Sequence, residues 1–492
     1  MARWDLALEL DRRSDVPLYR QIAQAVTNDI RRGRLRPSDA LPGTRTLARI
    51  LGVQRLTVLA AYDELLAEGW IATRPARGTM VSPELPELSS RAPTHEGVPA
   101  RAGFDVPPSP PGELPYNVPA GALLFAPNRP DVRLAPAELI GRAYRRALRS
   151  APATLLGYGR PQGHERLREA IAKMLASTRA IAASADDICI TRGSQMATAL
   201  LARALIRPGD IIAVEELTYR PALETFRVMG ARIVAIPLDA EGVKIEPIAQ
   251  LAKLGNLRAI HVTPHHQFPT TVTLSAARRL RLLDLARTHR FAIFEEDYDH
   301  EFHYDEPPVL PLASADRWGV VAYIGTLSKV VAPALRVGYV VAPRPLLRAV
   351  IAHRLHIDVQ GDRVLEFALA ELMEQGEIQR AVRRARREYR ARRDILAQSL
   401  RRTFGDSLTF EVPAGGIALW VRSDDAIDID DWADEARRCG AVIATARTFA
   451  ANGRSRPFAR LGFAALDRAE ILEGVRRLAI ARRRLLRAAC TD

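Results

Sequence analysis

Only four lysines occur in the 492 residues, Lys173, Lys244, Lys253 and Lys329, and every other basic residue is arginine or histidine. Chemistry that needs a primary amine therefore has four candidates. Lys173 lies in the amphipathic run LREAIAKML, Lys244 follows Glu241-Gly242 in a turn, and Lys253 belongs to a helical surface segment. All three read as solvated surface. Lys329 differs. It stands in Thr326-Leu327-Ser328-Lys329, directly after the apolar run VVAYIG, where a strand gives out among small hydroxyl residues. A carbonyl could reach an amine placed there, and amine plus carbonyl is Schiff-base chemistry.

The elements that position it are legible as an alternation. Short apolar runs at 210–216, 231–237, 257–264, 290–297, 320–326 and 336–343 are separated by amphipathic stretches such as SAARRLRLLDLARTH (275–289). Near-continuous apolar strands alternating with helices argue an α/β fold with a buried, mostly parallel sheet. A long Arg-rich helical stretch (377–402) and a smaller mixed region follow, read as a C-terminal α+β subdomain. The arginines of 381–393 read as solvated surface.

Open parallel sheets bind ligands outside the carboxyl ends of their strands. Asp297 ends one strand, and a carboxylate buried there is costly unless it faces a cation. Ser194 and Gln195 open a helix after ICITRG, offering backbone donors and a helix dipole to a dianion. Thr326 and Arg336 would complete that cradle, arginine as a two-pronged donor. Tyr219, after DIIAVEE, offers a ring for stacking. An amine, a carboxylate opposite a protonated ring nitrogen, a phosphate cradle and a stacking ring are what pyridoxal phosphate requires.

Residues 1–82 form a separate unit, and the Pro-, Ser- and Gly-dense stretch 83–119 reads as a linker to residues 120–492. In the small unit, apolar residues at helical spacing mark PLYRQIAQAVTNDIRRG, GTRTLARILGV (capped by Thr44) and QRLTVLAAYDELLAEG, and WIATRPARGTMV reads as a hairpin. Two short helices joined at a glycine and followed by a hairpin describe a winged helix-turn-helix. Arg55 and Thr57 sit at the start of its second helix, where base edges are met, and Arg45 in the first turn of the helix before it. Arg74 and Arg77 flank the hairpin tip, and Gly78 would let the wing approach DNA closely.

The formal charge of +14 suits a polyanionic partner. No apolar run reaches the roughly 20 residues of a membrane span, and the first residues lack the core of a secretory signal. Cys189, Cys439 and Cys490 are too few and too scattered for a disulfide framework or a zinc site. A cytoplasmic protein is expected. His265, His266, His300 and His303 look like a metal cluster, but no carboxylate or cysteine spacing supports one, and no metal is expected.

Along 16–82 the chain resembles the GntR-type winged-helix domain, through LPGTRTLA, LGVQRLTV and RGTMV. The resemblance implies DNA contacts by Arg45, Arg55, Arg77 and Gly78; Gln54 stands where that family usually carries Ser or Thr. YGRPQGHERLREAI, TRGSQMA, EEDYDHEF, GTLSKVVAPALRVGY and ARLGFA stand in the order of fold type I aminotransferases. With the winged helix in front, the whole chain resembles the MocR subfamily of bacterial regulators. That resemblance implies a Schiff base on Lys329, Asp297 paired with the ring nitrogen, Tyr298 near the ring hydroxyl, and Arg460 gripping the carboxylate of a substrate or effector. It also implies a homodimer with sites at the interface. Position 296 is Glu where many relatives carry a second Asp; if that position is the ring partner the assignment shifts by one, and the extra methylene favours Asp297. Thr271 stands where the enzymes usually have Gly. The function implied is a pyridoxal phosphate-dependent transcription regulator that senses the coenzyme or an amine. The alternative is an active aminotransferase with an appended DNA-binding module.

Overall fold

In the computed structural model, which describes residues 10–74, 78–86, 101–106, 120–125, 129–305 and 307–489, the chain divides into two units, Met1–Pro108 and Ser109–Asp492. The N-terminal unit is built on helices α1 (Leu18–Arg31), α2 (Thr44–Leu51) and α3 (Arg55–Ala67) and strands β1 (Ile71–Arg74) and β2 (Gly78–Val81). The three- and four-residue spacing of apolar positions gives α1 and α3 one buried stripe each. Ile22, Val26 and Ile30 of α1 and Val58, Ala61 and Leu65 of α3 meet Leu47, Trp70, Ile71 and Val81 in a single core. Gly52 adopts the left-handed conformation that ends α2 and turns the chain into α3. β1 and β2 pair antiparallel from Ile71↔Val81 to Arg74↔Gly78. Gly43, not Thr44, occupies the cap position of α2, and neither Gly43 nor Gln54 before α3 makes a side-chain cap bond. Both helices thus begin with N–H groups that no cap side chain satisfies.

The C-terminal unit carries a seven-stranded sheet. Its strands are β3 (Ile188–Thr191), β4 (Ile211–Glu215), β5 (Arg232–Ile236), β6 (Leu257–Val262), β7 (Ala292–Asp297), β8 (Val321–Thr326) and β9 (Gly338–Val341). The order is β3-β9-β8-β7-β6-β4-β5. β9 is antiparallel to both neighbours, and the other pairings are parallel. Helices α4 (Glu165–Arg179), α5 (Ser194–Leu205) and α6 (Arg220–Val228) pack on it. Strand side chains alternate between faces. Phe294 of β7 joins Ala197 and Leu200 of α5 and Phe226 of α6. On the opposite face, Ile293 packs with Leu282 and Leu283, and Tyr323 with Ile171 and Leu175 of α4.

A second sheet of four strands, Leu408–Thr409, Ala418–Ser423, Phe458–Gly462 and Ala444–Thr445 in that spatial order, forms the C-terminal part. The helices Glu377–Phe404 and Arg468–Ala489 enclose a core around fully buried Trp432, whose indole N–H donates to the Leu478 carbonyl at 3.0 Å. The Arg-rich helix is not all solvated surface. Arg392 and Arg393 are buried and pair with Asp131 (2.9 Å) and Asp305 (2.5 Å).

Candidate functional site

The turn from β3 into α5 is shaped by two glycines. Gly193 has φ +79°, and a Cβ there would lie 2.6 Å from Nη2 of Arg336. A Cβ on Gly338 would meet the backbone of Gly193 at 2.8 Å. Their lack of side chains brings the Arg336 guanidinium against the start of α5, where its Nη2 donates to the Arg192 carbonyl at 3.1 Å. No side chain caps α5, so its first N–H groups, those of Ser194 and Gln195 included, are open to an anion. The Gln195 side chain is committed elsewhere. Its Nε2 donates to the Pro221 carbonyl (3.0 Å) and Thr225 Oγ1 (2.8 Å), bracing α6. Thr326 braces the turn that carries Lys329, its Oγ1 accepting from the Ser328 N–H at 3.1 Å.

Lys329 is half-buried. Burial pushes its amine down from the ordinary 10.5 to about 8, against the charges of Glu296 and Asp299 and with those of Arg336 and Arg460. Glu296 lies on β7, Asp299 two residues past its end, Arg336 in the β8–β9 connection and Arg460 on the second sheet, and the charge of each acts on that amine. Tyr219 precedes α6, half-buried, and stands edge-on to Phe268 (5.6 Å between centroids). Phe268 is edge-on to Tyr298 as well (6.0 Å). Tyr298 is buried and donates to the His266 carbonyl at 2.9 Å; burial, then the Asp299 charge, holds its hydroxyl well above the usual range. Glu215 anchors the loop that carries Phe268, accepting from Thr263 Oγ1 (2.9 Å) and Gln267 Nε2 (3.1 Å). Burial raises that carboxyl to about 7.

Arg460 is fully buried on strand Phe458–Gly462. Its Nη1 donates to the Pro269 carbonyl and its guanidinium lies 4.8 Å over the Phe268 ring. Its Nε and Nη2 have no hydrogen-bond partner. That pair is the edge with which an arginine takes a carboxylate in two parallel bonds.

Glu296 and Asp297 point to opposite faces of the sheet. Glu296 shares the parity of Phe294, on the face of α5 and α6, and its Oε2 lies 3.2 Å from His261 Nε2. Asp297 shares the parity of Ile293, and its Oδ2 accepts from the Tyr323 hydroxyl at 2.6 Å and lies 3.2 Å from His300 Nδ1 and 3.5 Å from Arg179 Nε. Arg179 goes on to Glu301 at 2.5 Å. Burial alone would raise the Asp297 carboxyl; His300 and Arg179 hold it well below the carboxylate range. Strand parity thus sets Glu296 toward α5 and α6 and Asp297 away from them, with Asp297 Oδ1 left buried and without a hydrogen-bond partner. His265 stacks between His266 (4.2 Å) and His300 (4.7 Å). His303 lies apart, against Arg386. Among the described residues no cluster of His, Cys, Asp or Glu could hold a metal ion.

Thr271 has φ +66°, left-handed for a β-branched side chain. Such a residue is strained. Its N–H is held by the Gln267 carbonyl at 2.7 Å, two residues from the carbonyl that Arg460 grips. Thr271→Gly is expected to stabilise the protein by roughly 0.5–1 kcal/mol, measured by denaturant unfolding. Unchanged or lowered stability would mean that the loop carries no strain.

In the N-terminal unit, Arg45 and Arg55 are exposed, Thr57 is half-buried, and Arg55 Nε donates to Thr44 Oγ1 at 3.4 Å, drawing the starts of α2 and α3 together. Gly78 begins β2 at φ +76°, with open space where a Cβ would stand. Arg74 is exposed opposite it. Arg77 lies outside the described residues.

Sequence reasoning passed over Glu296's facing, Asp299, Phe268 and His261. Phe268 stood among the residues after AIHVTP, but a lone aromatic there carries no sign of the arginine it supports.

A family model, "Aminotransferase class I and II", matches residues 124–478, and one for bacterial regulatory proteins of the gntR family matches 18–81. The chain is 31% identical over 478 residues to the probable rhizopine catabolism regulatory protein MocR of Rhizobium meliloti, covering 96% of this chain and 95% of that one. It is 30% identical over 398 residues to the pyridoxine biosynthesis transcriptional regulator PdxR of Corynebacterium glutamicum, covering 80% and 82%. The solved structure of an α-aminoadipate aminotransferase from Thermus thermophilus, complexed with N-(5'-phosphopyridoxyl)-L-leucine, is similar at a TM-score of 0.69 and 27% identity, covering 75% of this chain and 94% of that one. No described helix is long and apolar enough to cross a membrane. A gntR-family unit preceding an aminotransferase unit, with a relative that matches over nearly the whole of both chains, places the chain in the class I and II aminotransferase family and in the MocR subfamily of gntR-type regulators.

Proposed function

We propose that this protein is a pyridoxal phosphate-dependent transcription regulator that binds double-stranded DNA through its N-terminal unit and senses an amine or amino acid through its aminotransferase-like unit. One observation carries the reading. The same chain holds a half-buried amine ringed by charged groups, a buried arginine with an unpartnered two-donor edge and a gntR-family helix-turn-helix.

The residues fit the coenzyme. The hollow at Gly193, which a Cβ would fill, together with Arg336 and the uncapped start of α5, suits a phosphate. Tyr219 and Phe268 suit a ring, and Glu296 suits its nitrogen. The coenzyme, when bound, supplies an aldehyde that exchanges between amines. Lys329, with its amine near pH 8 half in the free-base form, is the group that holds it. Tyr298 keeps its proton, and its hydroxyl, turned from the His266 carbonyl to which it donates here, would donate toward the ring oxygen. Arg460 binds an effector carboxylate, and the contacts it makes there differ with and without effector. Such a difference is what shifts a conformational equilibrium and hence DNA affinity. A homodimer would present two DNA-reading units to a two-part operator, and a DNA partner makes the protein cytoplasmic.

The test is binding of coenzyme-loaded protein to DNA selected from a random library, followed by fluorescence anisotropy with and without amino acids. The expected result is a several-fold change in affinity with at least one amino acid and no sustained formation of keto acid. Steady turnover in the presence of an acceptor keto acid would favour the aminotransferase reading instead. Arg460→Ala should keep bound coenzyme and lose the response; an unaltered response would remove Arg460 from the effector site.

A further inference from the structure

Helix α3 is apolar on two sides. Its inner stripe, Val58, Ala61, Tyr62 and Leu65, is buried. Leu56 is 73% exposed and Leu59, three residues on and hence a neighbour on the helix surface, is 40% exposed. Exposed Arg55 precedes Leu56 and binds Thr44 at the start of α2, the helix that carries exposed Arg45 and Arg49, and the first acid along α3 is exposed Asp63, one turn beyond Leu59. An exposed leucine at the arginine-bearing end of the helix, with the acid a turn and a half or more away, fits a polyanion that carries apolar groups in its groove. Duplex DNA does: the C5-methyl of thymine lies in the major groove beside the hydrogen-bonding edges. A basic rim does not suit a second apolar protein surface in the same way, because the arginines would be buried without counter-charges.

We propose that Leu56 is a specificity-determining residue that packs on a thymine methyl in the operator, with Leu59 widening the contact. The inference rests on the DNA-binding reading above. Leu56 is the second residue of α3, at the end of the helix that meets base edges. Its side chain has no donor or acceptor, so it can distinguish bases only by shape and methyl burial. Arg55 beside it supplies polar contact.

The experiment uses the full-length protein. Binding sites are selected from a random DNA library, and the selected site is then synthesised with deoxyuridine in place of each thymine in turn, which deletes one methyl and nothing else. Expected is a loss of roughly fourfold per buried methyl at one thymine position in each half of the site. Leu56→Ala should bind the thymine and uracil forms equally, at about the affinity the wild type shows for uracil. Its melting temperature should be unchanged, because the side chain is exposed. Wild-type affinity indifferent to every uracil, or Leu56→Ala retaining the discrimination, overturns the proposal. Leu56→Ala binding the thymine site as tightly as wild type also overturns it and assigns the face to a protein partner. Failure to select any sequence overturns the DNA-binding reading along with it.

Discussion

Lys329→Ala abolishes the visible absorbance that stays with the protein after incubation with pyridoxal phosphate and gel filtration. The effect is expected to be complete, because the other lysines offer no replacement. Lys173 and Lys253 are exposed, and Lys244 precedes a surface helix. None is at the carboxyl end of a strand of the main sheet. The same residue sets a pH dependence. An ordinary lysine near 10.4 is well under 1% free base at pH 8, whereas an amine at about 8 is half free base there. Only the free base attacks an aldehyde. The rate of capture is therefore expected to rise about tenfold per pH unit below pH 8 and to level off above it. A capture rate still climbing tenfold per unit up to pH 10 would show that Lys329 is not depressed. A persisting band in Lys329→Ala would remove it from the site.

The adjacent carboxylates should part company when substituted. Asp297→Asn removes the charge that buried Arg179 and His300 share, and breaking a buried ion network in this way costs about 3 kcal/mol. The folded-state carboxyl is held well below its ordinary value, so the stability it lends is present above the unfolded pKa and drains away as pH falls through the folded one. Asp297→Asn should flatten that acid limb in denaturant titrations. Glu296→Gln should leave stability within about 1 kcal/mol, since among the described residues its carboxylate meets only His261. It should instead shift the absorbance of bound coenzyme, because the ring nitrogen loses its anionic partner. The converse pattern, a stable Asp297→Asn with altered absorbance and a silent Glu296→Gln, would restore Asp297 as the ring's partner.

The sheet was legible because its strands, the edge strand β5 apart, are buried on both faces and so read as unbroken apolar runs. Each of the six runs contains one of the strands β4 to β9. The strand-end rule picked out Asp297, Ser194, Gln195, Tyr219, Thr326 and Lys329; the structure sets Arg336 against Gly193 just before Ser194, ties Gln195 to α6, which Tyr219 precedes, and braces the turn of Lys329 by Thr326. Facing within Glu295-Glu296-Asp297 was not legible. Three acids in a row have no period, and only the parity of the preceding Ile293 and Phe294 against their cores resolves them. The Asp297 network draws Arg179 from α4 and Tyr323 from β8, partners that no local pattern joins to it. Arg392 and Arg393 were hidden for a different reason. In a chain this rich in arginine, a buried one looks like its exposed neighbours until Asp131 and Asp305 are seen beside it. The cap of α2 moved by one residue because glycine also serves at that position, and Thr44 is used instead by Arg55.

The back-to-back carboxylates of β7 make the strand a two-sided component with independent adjustment on each side. Drift at 295 or 297 alters how firmly the scaffold is bolted together, while drift at 296 retunes the chemistry, and neither need wait for the other. The arrangement has one intolerance. Deleting or inserting a single residue upstream in β7 would exchange the two sides at once, turning the carboxylate at 297 toward α5 and the one at 296 toward Arg179, so substitution adjusts one side at a time whereas a change of length upsets both.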